Sequence, residues 1–114
     1  MDSFERRVAV VTGAASGIGL STATRFAREG MRVVMSDIQD DALGAAVSDL
    51  RAAGHEVAGL QADVSKYEQV AALAEFAMDT YGAVNVVHNN AGVVRAGTLE
   101  ELSLEDWEWV LGVD

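Results

Sequence analysis

Cysteine is absent from this chain of 114 residues. That excludes a disulfide framework and any thiolate metal site, and it suits a cytoplasmic protein. Proline is absent too. Basic side chains are few: Lys66 is the only lysine, and Lys and Arg together number 8 against 18 Asp and Glu. The formal net charge of −10 repels nucleic acid and anionic membrane surfaces, so neither is an expected partner. Any anionic ligand would meet the same long-range repulsion and would have to be held by local N–H groups. No apolar run approaches the roughly 20 residues of a membrane span. The opening Met1-Asp2-Ser3-Phe4-Glu5-Arg6-Arg7 has no apolar core for a secretion signal. Histidine is limited to His55 and His88. Their separation makes no metal motif, and each reads as a solvated or core side chain.

What remains is hydrophobic. Such residues make up 50% of the chain, enough for the core of one domain. Short, mostly apolar runs fall at 7–12, 32–37, 57–62 and 84–89. All but the third are rich in valine, as expected of strands buried on both faces. Between them lie helix-length segments with apolar residues three and four apart. The first repeats through Ile18, Thr22, Ala23, Phe26 and Ala27. The second repeats through Leu43, Ala46, Val47 and Leu50, and the third through Val70, Leu73, Ala74, Ala77 and Met78. Gly30, Gly54 and Gly82 stand where C-terminal glycines belong, and Asp40 and Ser65 are candidate N-caps. A last helix is expected near 103–111. Alternation of this kind predicts an α/β fold with parallel strands and right-handed crossovers.

The richest stretch is Thr12-Gly13-Ala14-Ala15-Ser16-Gly17-Ile18-Gly19. It joins the first apolar run to the first helical segment. A glycine-rich turn that opens a helix presents backbone N–H groups and partial positive charge, which is a cradle for phosphate. Gly13 permits a tight turn, Gly17 the approach of a pyrophosphate, and Gly19 close packing of helix on strand. The spacing is neither G-x-G-x-x-G nor a Walker loop. An ordinary βα loop rich in small residues is the alternative. Asp37 ends the second apolar run, about eighteen residues beyond Gly19 and near the spacing at which a carboxylate meets an adenosine ribose. The chain therefore reads as a dinucleotide binder.

Thr12-Gly-x3-Gly-x-Gly19, with Asp37, Asp63-Val64 and Asn89-Asn90-Ala91-Gly92 in order, resembles the short-chain dehydrogenase/reductase family over almost the whole chain. The resemblance implies a Rossmann-type doubly wound parallel sheet, here incomplete, with four strands in the order 3-2-1-4 and flanking helices. It implies an oxidoreductase that moves hydride between a nicotinamide cofactor and an alcohol or carbonyl carbon of a small molecule. Gly13, Ala15, Ser16, Gly17, Ile18 and Gly19 would contact the pyrophosphate and adenosine ribose. Asp37 would hold the ribose hydroxyls, with Ile38 beside it. Asp63 and Val64 would contact the adenine edge, and Asn90, Ala91 and Gly92 would line the central cleft. Asp63 could instead cap a helix, and Asn89 and Asn90 could serve a turn. NAD is favoured over NADP, because a 2′-phosphate beside Asp37 brings like charges together and neither Ser16 nor Ile38 is basic. Arg32 lies at the other end of that strand.

The family's catalytic serine and Tyr-x-x-x-Lys have no counterpart here. Ala71 stands four residues after Tyr67, and Asn85 four after Tyr81. Asp114 falls where the family often has an asparagine and offers no amide donor. No catalytic residue is assigned. The expectation is that residues 1–114 are the N-terminal, cofactor-binding part of one domain. The catalytic part, the remaining sheet and the homo-oligomer contacts would lie beyond, leaving the fourth strand as an unpaired apolar edge. Val93, Val94 and Arg95 would border a substrate pocket. Trp107 reads as core and Trp109 as core or partner-facing. Glu100, Glu101, Glu105, Asp106 and Glu108 read as a solvated acidic face. Two other readings stand beside this one: a dinucleotide-sensing module without turnover, and a phosphoacceptor receiver built on Asp63. The receiver lacks its acidic pair after strand one.

Overall fold

Valine and alanine fill the central strand up to its last residue, Thr12, and a strand so nearly free of polar side chains belongs between two covered faces. In the computed structural model, which describes residues 6–89 and the backbone of 92–95, strand β1 (Val8–Thr12) is buried along its whole length. Helix α1 (Gly17–Arg28) carries the chain to β2 (Arg32–Asp37), and α2 (Asp40–Ala52) carries it to β3 (Val57–Gln61). Helix α3 (Tyr67–Tyr81) then crosses to β4 (Val86–Asn89), and β5 (Gly92–Arg95) follows.

The sheet order is β3-β2-β1-β4-β5. The first four strands are parallel, in the expected order, and β1 registers with both neighbours through Ala9↔Val33 and Ala9↔Val86. Alternate side chains feed two cores. Ala9, Val11, Val33, Met35 and Val86 pack with α1 and α2, while Val10, Val34 and Val87 pack with α3. Fully burying a side chain of valine or methionine size contributes about 1.5–3 kcal/mol, so these two layers hold the sheet between its helices.

The periodicities of α2 and α3 hold. Leu43, Ala46, Val47 and Leu50 are buried, as are Val70, Leu73 and Ala77, with Ala74 and Met78 packed at the edge. Gly30, Gly54 and Gly82 take the left-handed backbone of helix ends.

Three expectations fail. Ile18 is 80% exposed, although Ala23 and Ala27 of the same repeat are buried. At about 100° per residue Ile18 stands about 140° and about 180° round the helix from Ala23 and Ala27. The ladder 18-22-26, creeping about 40° at each step, only approaches their inward face at Phe26, which packs at the edge of the core. Asp40 and Ser65 are not the N-caps, since Gln39 and Lys66 occupy those positions without a side-chain cap bond. The Asp37 carboxylate binds the Gln39 N–H, and Ser65 donates its hydroxyl back to Asp63. Asp40 instead puts its charge in the first turn of α2, favourable for the helix dipole. Finally, β4 is not an unpaired edge. It pairs antiparallel with β5 through Val87↔Val94 and Asn89↔Gly92. Only residues 90 and 91 separate the two strands, and antiparallel neighbours need no longer link.

Candidate functional site

At the carboxyl end of β1 the chain leaves for β2 on one side of the sheet centre, while β4 enters on the other. Open α/β sheets bind ligands in the crevice at such a reversal. Here the crevice is edged by the β1–α1 loop, Asp37 and the turn before α3.

The β1–α1 loop is laced to the end of β2. The Ala14 N–H donates to the Ser36 carbonyl at 2.9 Å, and the Ala15 N–H donates to Asp37 Oδ2 at 3.0 Å. Asp37 Oδ1 accepts the Gln39 N–H at 2.9 Å. The carboxylate is thereby held on both oxygens, facing the glycine loop. Gln61 steadies the segment beyond it by donating from Nε2 to the Ile38 carbonyl at 3.0 Å. The Ile38 side chain stays exposed.

Helix α1 differs from its neighbours in its first turn. Like Gln39 and Lys66, its N-cap Ser16 makes no side-chain cap bond, but its first turn carries no acid, whereas α2 has Asp40 and Asp41 there and α3 has Glu68. The first N–H groups of any helix lack intrahelical acceptors. At α1 no carboxylate of the first turn competes for them.

Gly17 has φ +58°, and a Cβ built on it would meet nothing within 4 Å. Open space therefore lies directly over the loop backbone. Gly19 is the reverse, for a Cβ there would sit 1.9 Å from the Gly13 carbonyl oxygen. Ile18, between them, points to solvent and lines an open groove of about 510 Å³ along the outer side of α1 with Thr22, Arg25 and Phe26.

Asp63 sits in the turn before α3. Its Oδ1 accepts the Ser65 hydroxyl at 2.6 Å and the Ser65 N–H at 3.0 Å. Those bonds, the hydroxyl first, hold its pKa below the ordinary carboxylate value. Val64 packs partly against the α3-side core. Of the other expected residues, Gly92 is backbone in β5. Asn90, Ala91, Asp114, the helix near 103–111, both tryptophans and the acidic stretch from Glu100 to Glu108 lie outside the described residues.

Neither tyrosine is placed for acid/base work. Tyr81 ends α3 near the amino end of β2, where the Arg32 guanidinium stands 5.4 Å from its ring centre. Burial, and then Glu56, raise its phenol above the ordinary value, opposite to what a proton-transferring tyrosine needs. Tyr67 is solvent-exposed at the start of α3. Arg32 also donates to the Arg6 carbonyl, so that cation is engaged far from Asp37, as its place at the start of β2 implied. Among the described residues no cluster of His, Asp or Glu could hold a metal.

His88, expected as a core or a solvated side chain, is half-buried. It pairs in register with Val11, and its Nδ1 is buried without a hydrogen-bond partner. Desolvation lowers its pKa. A histidine that is harder to protonate folded than unfolded makes the unfolded state bind more protons, so stability falls as pH drops through about 6.5, the unfolded value. His88→Leu is expected to flatten the decline in melting temperature between pH 7.5 and 5.5. The depressed Asp63 acts in a separate window, giving stability that is lost only as pH falls below about 4. An unchanged His88→Leu profile above pH 5.5 would contradict this assignment.

Sequence reasoning missed Gln61 and Gln69, which hold the site's backbone from behind. The Gln69 signal is its third place in α3, where glutamine commonly reaches back to the N–H of the N-cap residue.

The signature of the family described as short chain dehydrogenase matches residues 7–114. The chain is 40% identical over 111 residues to the (2S)-[(R)-hydroxy(phenyl)methyl]succinyl-CoA dehydrogenase subunit BbsD of Thauera aromatica, covering 97% of this chain and 45% of that protein. It is similar to a short chain dehydrogenase/reductase of Burkholderia phymatum solved in complex with NAD. The TM-score is 0.76 at 46% identity, over 99% of this chain and 40% of that one. It is also similar to the F189W actinorhodin polyketide ketoreductase solved with NADPH. That TM-score is 0.73 at 38% identity, over 99% of this chain and 43% of that one. The chain thus spans about half the length of the curated relatives it matches, 45% for the Thauera protein.

Proposed function

Because the chain belongs to the short chain dehydrogenase family, we propose that it forms the NAD-binding part of an oxidoreductase acting on an alcohol or carbonyl group of a small molecule. When bound, the nicotinamide supplies the hydride acceptor or donor. The chain's own residues bind and orient it.

The observation that carries this reading is the Asp37 carboxylate, fixed on both oxygens at the end of β2 and facing the loop that opens α1. The loop itself suits the other half of the ligand. Open space over Gly17 leaves room for a pyrophosphate against the backbone. The uncapped, acid-free start of α1 supplies N–H donors and partial positive charge to neutralise it. These short-range donors have to outweigh the −10 net charge of the chain, which screening confines to roughly 8–10 Å at physiological salt.

Asp37 is also the basis for choosing NAD. Ribose hydroxyls donate to a carboxylate, whereas a 2′-phosphate beside it adds unlike-solvated, like-signed charge. Ser16, Ile38 and Gln39 offer no compensating cation, and Arg32 is engaged at the far end of its strand. Asp63 and Val64 would meet the adenine edge, and Asn90, Ala91 and Gly92 would line the path toward the nicotinamide. No Tyr-x-x-x-Lys lies within the 114 residues, so the part proposed for this chain is cofactor binding. A small-molecule substrate, homo-oligomer contacts and a cytoplasmic setting belong to the same reading of the complete protein.

Titration of NADH and NADPH into the complete gene product, followed by nicotinamide fluorescence, tests the proposal. NADH is expected to bind at least about tenfold more tightly, a difference of about 1.4 kcal/mol. Equal or tighter binding of NADPH would overturn the choice of NAD. Binding of neither would overturn the reading as a whole.

A further inference from the structure

Asp63 is held from three directions. Its N–H donates to Gln69 Oε1 at 2.6 Å, its carbonyl accepts the Lys66 N–H at 3.0 Å, and its Oδ1 takes both Ser65 donors. Asp63 Oδ2 takes part in none of these bonds. The Gln69 contact is unlike an ordinary helix cap. A glutamine at the third helical position usually returns to the N–H of the N-cap residue. Here the N-cap is Lys66, and Gln69 reaches past it to residue 63. Its amide therefore serves the turn that carries the carboxylate and does not cap the helix. It is also half-buried, as Asp63 and Val64 are, where Ser65, Lys66, Tyr67 and Glu68 between them are exposed.

We infer that Gln69 is a positioning residue for the base end of the dinucleotide site. By holding the Asp63 peptide it fixes where Oδ2 is presented, so that the site takes a 6-amino purine and rejects a 6-oxo purine. This rests on the reading of Asp63 as the residue that meets the base. A carboxylate is an acceptor only. An amino group at the purine six-position donates to it. A carbonyl oxygen there sets two acceptors against each other and leaves the carboxylate unpaired, which is the asymmetry that makes hydrogen-bonding sites selective. The selection works only if Oδ2 cannot swing aside. Ser65 fixes the side chain relative to its own backbone, and Gln69 fixes that backbone relative to α3.

The test compares NADH with reduced nicotinamide hypoxanthine dinucleotide, both titrated into the complete gene product and its variants. The native protein is expected to favour NADH by about tenfold or more. Asp63→Ala, the control for the underlying reading, brings the ratio close to one. Gln69→Leu does so as well while leaving affinity for the hypoxanthine compound within about twofold. Gln69→Glu keeps the acceptor and keeps the preference. A native-like ratio in Gln69→Leu, with the ratio abolished in Asp63→Ala, overturns the role of Gln69 and leaves the Asp63 reading standing. A native-like ratio in Asp63→Ala overturns both. Should Gln69→Leu fail to fold, Gln69→Ala removes the same acceptor without a branched side chain. Loss of preference in a folded Gln69→Glu protein also contradicts the inference.

Discussion

Gly19→Ala is expected to be the most damaging single substitution in the described part of this chain. The added methyl would stand 1.9 Å from the Gly13 carbonyl oxygen and 2.6 Å from its carbon. Both are backbone atoms in a loop already tied to β2 through Ala14 and Ala15, so neither can yield like the end of a side chain. Relief requires α1 to lift from β1 or the loop to leave β2. Overpacking a well-filled core costs about 1–3 kcal/mol and sometimes more. The absence of any soft neighbour puts this case at or above the upper figure. Because the same loop is the proposed phosphate cradle, NADH affinity falls with stability. Gly44→Ala is the internal comparison. It lies within α2, at an exposed position where a Cβ meets nothing within 4 Å. Replacing a mid-helix glycine by alanine at such a place stabilises by about 0.5–1 kcal/mol. Denaturant unfolding of the two variants should therefore move the midpoint in opposite directions. A Gly19→Ala midpoint equal to the native one would show that the contact between loop and helix is not as close as described.

Asp37→Ala is expected to have the largest effect on binding without a comparable effect on folding. Hydrogen bonds to a charged group are worth about 1.5–3 kcal/mol each, so removal of the ribose acceptor should weaken NADH by roughly 10- to 100-fold. NADPH should lose nothing, since the same change removes a charge that repels its 2′-phosphate. The NADH-to-NADPH ratio collapses from both ends. The Ala15 and Gln39 N–H groups lose their acceptor as well, but this edge of the site is open enough for water to replace it, and a stability loss near 1 kcal/mol is expected. Preservation of the native ratio in a folded Asp37→Ala protein would remove the main support for NAD.

Much of this architecture was legible because burial on both faces leaves a plain signature. Val8 to Val11, Val33 to Met35 and the α2 and α3 repeats could take few other places. The glycine spacing was legible for a different reason: positive φ at Gly13 and Gly17 and the close approach at Gly19 are backbone requirements that few other residues meet. The helix starts were not. Asp40 and Ser65 look like N-caps in sequence, yet the nearby Asp37 and Asp63 carboxylates engage the adjoining backbone and hydroxyl first. Competition among several polar groups in one turn is decided by geometry that a linear pattern does not contain. Ile18 misled for a different reason, since a ladder of every fourth residue looks periodic in sequence although its first member stands nearly opposite the face that Ala23 and Ala27 bury. The β4–β5 pairing escaped because Val93 and Val94 could equally border a cleft. Gln69 escaped because a half-buried glutamine carries no signal of which peptide it holds.

The central claim is that the loop from Gly13 to Gly19 and the Asp37 carboxylate together hold the adenosine diphosphate part of NAD. A crystal structure of the complete gene product with NAD bound is the most direct measurement. The account predicts ribose hydroxyls within about 3 Å of the Asp37 carboxylate, the pyrophosphate over Gly17 at the start of α1, and the base beside Asp63. A dinucleotide bound with Asp37 facing solvent, or seated away from the carboxyl ends of β1 and β2, would contradict it.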